Sequence, residues 1–284
     1  MIYTADWHLR DDVPRCRVQT ESGWFDTQEY MVNHIVDVAN KDDGELFIAG
    51  DIFHRPLVSS GLVSMLQYAL GRLKGHAYIM AGNHDLRHRD TDDRDTSYQV
   101  LASSASHEGK LRLIRDWFSE VPYGSWEPVG NGLLVGVHAL CLQNQDPRGK
   151  FTSFITPEQL SSKFPKAKLI IVGDNHQSFI EGNVINPGCI LTQSVNEDNH
   201  IHMVYRVGDD GIITPVRLPS DLTEIVYDRY TQTRDVIVRN LAAFVEVVED
   251  SDIGTLDFSQ SLLEGMINLS KDAEKILREL MEEL

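Results

Sequence analysis

The sequence has few cysteines, few basic residues and no long apolar run. Its three cysteines are far apart, odd in number and never in CxxC spacing, which argues against a disulfide framework and a cysteine zinc site. The longest apolar stretch, Leu133–Leu142, is interrupted by a glycine and a histidine and is too short to cross a bilayer. With 26 Lys and Arg against 43 Asp and Glu, the net charge of −17 argues against a protein that coats nucleic acid. The net charge does not exclude an enzyme that binds DNA through one local patch.

The overall composition is that of a folded globular protein. Apolar residues make up 42% of the 284 residues and charged residues 24%, so collagen-like and disordered chains are excluded. The length allows one large domain or one domain with an appendage. Residues 1–6 lack the basic segment and apolar run of a secretory signal. Together with the unpaired cysteines, this predicts a cytoplasmic protein with no membrane association.

Short apolar runs recur along the chain, and most of them end in a polar cluster. Such runs are typical of buried strands, and they are Ile2–Ala5, Leu46–Ala49, Ala77–Ala81, Leu133–Val137 and Leu169–Val172. Helical patterns lie between them, starting near a capping box at Asp26, near Ser60 and at Thr156-Pro157. This alternation of strand and helix predicts an α/β layered fold.

The pattern changes after about residue 199. His200–Val207 and Gly211–Leu218 predict a hairpin. A short strand is expected at Glu224–Tyr230 and a helix at Asp235–Glu249. The last segment, Ser261–Leu284, carries a narrow heptad-like apolar stripe.

The ends of the predicted strands carry carboxylates, imidazoles and an amide. These groups are ligands for divalent metals held by nitrogen and oxygen, and they are Asp6, His8, Asp51, Asn83, His84, His138, Asp174 and His176. In an extended segment, residues i and i+2 point the same way, so each Asp-x-His pair can converge on one spot. One such pattern alone could be a buried imidazole or a turn carboxylate. Five clusters in order, each after a buried strand, favour a metal site.

The motif series resembles the ordered signature of the calcineurin-like metallophosphoesterases. It consists of Asp6-x-His8, Gly50-Asp51, Gly82-Asn-His-Asp85, His138 and Gly173-x-x-His176, and the resemblance covers residues 1–218. It implies an α/β fold, a two-sheet β-sandwich flanked by helices, as the phosphoesterase domain. Residues 219–284 would then form a reduced cap and a small C-terminal helical appendage.

The resemblance also implies two divalent metal ions at the strand ends. The first would be bound by Asp6, His8, Asp51 and His176. The second would be bound by Asp51, Asn83, His138 and Asp174, so that Asp51 bridges the two. His84 would face the substrate and be oriented by Asp85.

Asp174 departs from the family pattern, which usually has histidine at this position. A carboxylate can take the ligand role, and it favours hard ions such as Mn²⁺ or Mg²⁺. The alternative is that Asp174 lies behind the ligands and that the metal is held more weakly.

Three local features resemble the SbcD-type DNA repair exonuclease branch of the family. They are Asp6-Trp-His-Leu9, Gly50-Asp-Ile-Phe-His54 followed by Pro56, and Asn186-Pro-Gly-Cys189. The resemblance implies a DNA nuclease that uses two divalent metal ions, with Mn²⁺ as the first expectation and Mg²⁺ as the second. His54 would be a further substrate-facing imidazole. The alternatives are a nucleotide or small-molecule phosphodiesterase and a DNA-binding subunit with a weakened metal centre.

Basic residues on predicted loops near the motifs are candidates for contacts with the DNA backbone. They are Arg10, Arg15, Arg17, Arg55, Arg87, His88 and Arg89, followed by an acidic stretch at 90–95. Full-length nucleases of this branch bind the coiled coil of an SMC-like ATPase of the SbcC type. Residues 261–284 could bind such a partner, pair with a second copy or fold back. The small size resembles phage-encoded members, for which the location would be the host cytoplasm.

Overall fold

The structure is a computed structural model. It describes residues 1–14, 16–17, 23–87, 95–107, 111–113, 117–118, 124–129, 132–143, 154–194, 197, 200–208 and 210–219. The helices in this part are α1 (Gly23–Asn40), α2 (Ser60–Gly71), α3 (Ser97–His107) and α4 (Pro157–Lys163). The strands are β1 (Ile2–Thr4), β2 (Leu46–Ala49), β3 (Ala77–Met80), β4 (Leu111–Leu113), β5 (Trp117–Phe118), β6 (Gly124–Val129), β7 (Gly132–His138), β8 (Leu169–Gly173), β9 (Phe179–Glu181), β10 (Val184–Asn186), β11 (Met203–Val207) and β12 (Ile213–Arg217).

The strands form two six-stranded mixed sheets. The first has the order β12-β11-β1-β2-β3-β4, in which β1 to β4 are parallel and β11 runs antiparallel to β1. The second has the order β5-β6-β7-β8-β10-β9, in which β7, β8 and β10 are parallel. The predicted α/β class, with two sheets flanked by helices, is therefore confirmed.

Side chains alternate between the two faces along each strand, and this alternation separates two apolar layers. Tyr3 and Phe47 pack with Leu134 and Ile171 between the two sheets, whereas Ile2, next along the chain, belongs to the cluster that includes α1 and α2. This division follows from the period of two in a strand, which sends neighbouring side chains to opposite faces. The central strands are apolar on both faces, and this is why they appear in the sequence as uninterrupted runs.

Two helix starts differ from the expectation. Helix α1 begins at Gly23, so Asp26 lies in its first turn, where a negative charge suits the helix dipole. Helix α2 is capped by Ser59, whose hydroxyl accepts a hydrogen bond from the Leu62 N–H at 3.3 Å. Helix α4 begins as predicted, with Thr156 as its cap.

The predicted hairpin is present as β11 and β12, which pair antiparallel. The elements expected at 224–230 and 235–249, and the partner-binding segment 261–284, lie outside the described residues. No helix in the described part of the chain is long and apolar enough to cross a membrane.

The topology brings strand ends from both sheets to one place. The carboxyl ends of parallel strands meet at the same edge of a sheet, and the His8 N–H donates to the Asp51 carbonyl at 2.9 Å just beyond β1 and β2. In the second sheet, the Ala139 N–H donates to the Gly173 carbonyl at 3.2 Å just beyond β7 and β8. Every residue of the motif series lies at or just beyond the end of one of these strands.

Candidate metal centre

Four non-glycine residues in the described part of the chain have positive φ. They are Asp6 (50°), His8 (45°), Asp51 (50°) and Asp174 (85°), and each is an expected metal ligand. This left-handed backbone is uncommon outside glycine and persists only where the surrounding structure enforces it, often at functional sites. It also corrects the expected local geometry, because Asp6 and His8 are placed by a left-handed turn after β1 and not by an extended segment.

The first group of expected ligands lies around the facing rings of His8 and His176. The Nε2 atoms of these two residues are 2.9 Å apart, and Asp51 Oδ2 lies 3.5 Å from His8 Nε2. The carboxylate of Asp6 accepts hydrogen bonds from the Asp174 N–H at 2.9 and 3.1 Å. This contact fixes both Asp6 oxygens and joins the loop after β1 to the loop after β8.

The second group converges on the ring of His138. Its Nδ1 donates to the Ala49 carbonyl at 2.9 Å, so a neutral ring has its lone pair on Nε2. Nε2 lies 2.9 Å from Asn83 Oδ1 and 3.3 Å from Asp51 Oδ2. Asp174 Oδ1 is 3.9 Å from the same nitrogen. Three oxygens and one nitrogen therefore face a common point.

Asp51 belongs to both groups. Its Oδ1 accepts the His84 N–H at 2.9 Å, and this bond turns Oδ2 toward the imidazoles of His8 and His138. One carboxylate oxygen thus faces both ligand groups, as a bridging ligand requires.

Two glycines allow the ligand residues and the neighbouring backbone to pack this closely. A Cβ on Gly82 would lie 2.1 Å from Asp51 Oδ1, and a Cβ on Gly173 would lie 2.2 Å from the Ala49 carbonyl oxygen. Both distances are far below van der Waals contact, so any side chain at either position would displace a ligand or the backbone beside it.

The family model described as calcineurin-like phosphoesterase matches residues 2–208, which include every residue of the two ligand groups. This chain belongs to the calcineurin-like phosphoesterase family. That membership supports metal-dependent hydrolysis of phosphoesters as the general activity. No curated protein matches the chain.

Similar solved structures are distant. One is an uncharacterized protein of Streptococcus pneumoniae TIGR4 described as a predicted phosphoesterase, with 16% identity and a TM-score of 0.36, covering 80% of this chain and 91% of that one. Another is Vps29 of Entamoeba histolytica complexed with Zn²⁺, with 14% identity and a TM-score of 0.37, covering 76% of this chain and 96% of that one. At these values they carry no argument about substrate or metal.

The donor set of this calcineurin-like phosphoesterase fits divalent cations. Burial raises the pKa of Asp6 to about 7. Burial also opposes the charged form of His138, but Asp51, Asp6 and Asp174 outweigh it and raise the pKa of that imidazole to about 10. The cluster thus attracts positive charge strongly. A divalent cation satisfies several such donors together, and its binding releases the protons.

His84 and His54 lie beside the ligands. The His84 ring is 4.8 Å from the His8 ring and 5.2 Å from the His54 ring. The His84 Nδ1 donates to the His54 backbone carbonyl at 2.8 Å, which leaves its Nε2 for a substrate. Burial, with Arg10 and His84 adding to it, lowers the pKa of His54 to about 4, so His54 is neutral at pH 7.

The expectation that Asp85 orients His84 was wrong. The Asp85 carboxylate is fully buried and accepts three backbone hydrogen bonds, from Gly82 at 2.9 Å, Ile52 at 3.1 Å and Phe53 at 2.8 Å. It therefore holds the loops after β2 and β3 together, and it does not face the site as a catalytic group. The carbonyl of His54 takes the orienting role instead.

The basic residues that were expected near the motifs differ in their exposure and in their contacts. Arg17 is buried and donates from Nε to the Thr192 carbonyl at 2.7 Å, so its assignment to a DNA-facing surface was wrong. Arg55 is 65% exposed, and its Nη2 lies 3.8 Å from Asp12, which also binds Arg10. Arg87 is half-buried, and the expected residues at 15, 88 and 89 lie outside the described residues.

One polar residue of the centre was not expected from the sequence. Glu197 accepts a hydrogen bond from His176 Nδ1 at 2.5 Å and is buried. No motif spacing marks this residue, because its position depends on the path of the loop after β10. Only the folded structure shows that this buried carboxylate lies beside His176.

Proposed function

We propose that this chain is a Mn²⁺-dependent DNA phosphodiesterase of the SbcD-type nuclease branch. The observation that carries the proposal is the imidazole pair of His54 and His84, which lies beside both ligand groups. Within the described residues these rings are not among the closest contacts of Asp51 Oδ2, which are His8 and His138. His8, His54 and His84 lie close enough to hold a cation together, and we assign His54 and His84 to the substrate because the two ligand groups around Asp51 already supply the expected donors for both ions.

The pair suits a phosphodiester. Cleavage of a diester requires a proton at the leaving oxygen and a group that positions the second ester arm. His84 can do the first when its imidazole is doubly protonated, because Nδ1–H is held by a backbone carbonyl and the proton on Nε2 is then the one that passes to the leaving oxygen. His54 Nδ1 is buried and has no hydrogen-bond partner among the described residues, so the contact with a phosphate oxygen would fall to Nε2, as the N–H of a neutral ring.

The donor atoms support Mn²⁺ as the metal. The group around His138 offers oxygens from Asp51, Asn83 and Asp174 with only one nitrogen. Carboxylate and carbonyl oxygens suit Mg²⁺ and Mn²⁺, whereas imidazole suits ions such as Zn²⁺ and Fe²⁺, and we propose Mn²⁺ because oxygens outnumber nitrogens in this group. Divalent cations held there would supply Lewis acidity and a nucleophile at neutral pH.

DNA as the substrate is supported by the branch-specific sequence features and by local positive charge. Arg55 directly follows His54 and is exposed. A cation next to the substrate-facing imidazoles can bind a neighbouring phosphate of the backbone. The predicted ATPase partner and self-association through 261–284 stay predictions.

The test is a substrate and metal panel on the purified full chain. Mn²⁺, Mg²⁺, Zn²⁺ or EDTA would be combined with labelled single- and double-stranded DNA, bis-p-nitrophenyl phosphate, p-nitrophenyl phosphate and cyclic nucleotides. We expect cleavage of DNA and of the aryl diester with Mn²⁺, and none with EDTA. Hydrolysis of only the small esters would indicate a small-molecule phosphodiesterase, and DNA binding without cleavage would indicate a binding subunit. Either result would overturn the proposal.

A charge variant separates DNA binding from chemistry. Arg55→Gln should raise the KM for DNA and leave the hydrolysis of bis-p-nitrophenyl phosphate unchanged. Arg217→Gln, at an exposed arginine of β12, is the matched control and should change neither. Equal effects of the two substitutions would remove Arg55 from the DNA surface.

A further inference from the structure

Glu197 makes a short, directed contact with an expected metal ligand. Its Oε1 lies 2.5 Å from His176 Nδ1, and the opposite nitrogen of that ring, Nε2, faces His8 at 2.9 Å. Because a carboxylate oxygen accepts, the Nδ1 proton of His176 points to Glu197. The lone pair of a neutral ring is then fixed on Nε2, which is the atom that faces the other ligands.

The carboxylate is itself held by its own loop. Its Oε2 accepts from the Gln193 N–H at 2.6 Å and from the Ser194 N–H at 3.3 Å, and the Cys189 thiol lies 3.7 Å from the same oxygen. The loop is in turn tied to the core, because Arg17 donates to the Thr192 carbonyl. Glu197 therefore reaches His176 from a fixed position.

The imidazoles of His8 and His176 differ in the hydrogen bonding of their Nδ1 atoms. Nδ1 of His8 is buried and has no hydrogen-bond partner among the described residues, whereas Nδ1 of His176 has a carboxylate. A carboxylate on the far nitrogen raises the basicity of the metal-facing nitrogen and fixes the ring's orientation.

We propose that Glu197 is a positioning residue of the first metal site: it orients and polarises His176 so that Nε2 binds a divalent cation. The inference rests on the metal centre of the proposed function and is independent of whether DNA is the substrate. Glu197 is not one of the expected metal ligands, and it acts through the imidazole of His176.

The experiment measures metal binding without substrate. Mn²⁺ affinity would be determined by titration of the apo protein for the wild type, Glu197→Gln and Glu197→Asp. Glu181→Gln, at an exposed carboxylate of β9, is the matched control. The amide should weaken the first site by about 10–100-fold, the usual effect of losing such a partner. The aspartate should restore part of that affinity, because the negative charge remains.

A purely structural role gives a different result. The Tm would be measured for each protein in EDTA and with excess Mn²⁺, since a ligand that binds the folded chain more tightly stabilises it more. If Glu197 only supports the loop, Glu197→Gln lowers both Tm values equally and leaves the Mn²⁺-induced increase unchanged. The positioning role requires a smaller Mn²⁺-induced increase.

Wild-type Mn²⁺ affinity in Glu197→Gln, or an unchanged Mn²⁺-induced increase in Tm, would overturn the inference. A chain whose Mn²⁺ affinity depends on Glu197 but which cleaves no DNA would contradict only the proposed function. The two failures are therefore distinguishable.

Discussion

The Nδ1 atom of His84 donates a hydrogen bond to the backbone carbonyl of His54 at 2.8 Å. A backbone carbonyl cannot donate, so the contact assigns the proton to Nδ1 and directs Nε2 toward the ligand groups. The same bond joins the loop after β3 to the loop after β2. The two substrate-facing imidazoles are thereby placed as one unit, and a change in the backbone at His54 would also move His84.

His84→Ala should separate metal binding from chemistry. The substitution removes a group beside the ligands while leaving them in place, so metal content should be near that of the wild type. The hydrolysis rate should decrease by about 10²–10⁴-fold, the usual contribution of an acid–base group. Metal analysis and the steady-state rate on bis-p-nitrophenyl phosphate measure the two effects. His34→Ala on α1 is the control, and loss of metal in His84→Ala would make His84 a ligand.

Asp51→Asn should abolish hydrolysis and lower the metal content below two ions per chain. Asp51 Oδ2 faces both His8 and His138, and a neutral amide cannot hold two cations together. Metal analysis of the purified protein and a rate assay test this. Asp26→Asn, at an exposed carboxylate in the first turn of α1, should behave as the wild type. Two bound metal ions with full activity in Asp51→Asn would refute the assignment.

Asp174→His should change the metal preference. Asp174 Oδ1 lies 3.9 Å from His138 Nε2, and the substitution replaces an anionic oxygen with a neutral nitrogen. Affinity should therefore shift toward Zn²⁺ or Co²⁺ and away from Mg²⁺. Competition titrations with a series of divalent ions would measure the shift. An identical metal profile in Asp174→His and Asp174→Ala, matching the wild type, would place Asp174 outside the ligand set.

His202 should make the fold sensitive to acid. Burial lowers the pKa of His202 to about 4, against about 6.5 in an unfolded chain. Between these values the unfolded chain binds a proton that the folded chain excludes, so the free energy of unfolding decreases as the pH falls from about 6.5 to 4. Below pH 4 this group adds no further loss.

The check for His202 is urea unfolding in EDTA at several pH values. His202→Gln keeps a polar group near the Thr192 hydroxyl and the Cys189 carbonyl but cannot titrate. Its unfolding free energy should vary less steeply with pH, by up to about 1.4 kcal/mol per pH unit. Parallel curves for the two proteins would show that His202 does not contribute to the dependence.

The sequence was most informative where strands are buried on both faces. Leu46–Ala49 was predicted as a strand at the bounds that β2 has in the structure, because a short apolar run between polar clusters is typical of a buried strand. The paired strands β9 and β10 were not predicted, since each has three residues and too few positions to show a period. Helix α3 contains mainly small and polar residues, so it shows no clear apolar stripe.

The candidate site was predictable as a set of residues but not as a set of contacts. The motif series marks strand ends, and parallel strands bring those ends together. Asp85 and His84 are neighbours in sequence, which suggested a contact, yet the structure directs the Asp85 carboxylate to three backbone N–H groups. Glu197 lies 21 residues from His176, beyond β9 and β10, and no sequence pattern indicates that the two side chains meet.

The left-handed backbone at Asp6, His8, Asp51 and Asp174 lowers the stability of the fold at the positions that are expected to bind metal. Residues held in such conformations cost the folded state on the order of 1–3 kcal/mol each, and glycine would adopt the same φ at little cost. A glycine would remove this backbone cost, but it would also remove the expected metal ligand and, at Asp6 and Asp51, the carboxylate that accepts the Asp174 or His84 N–H. The folded state therefore carries a backbone cost at four positions, and the residues that carry it are the ones expected to bind metal.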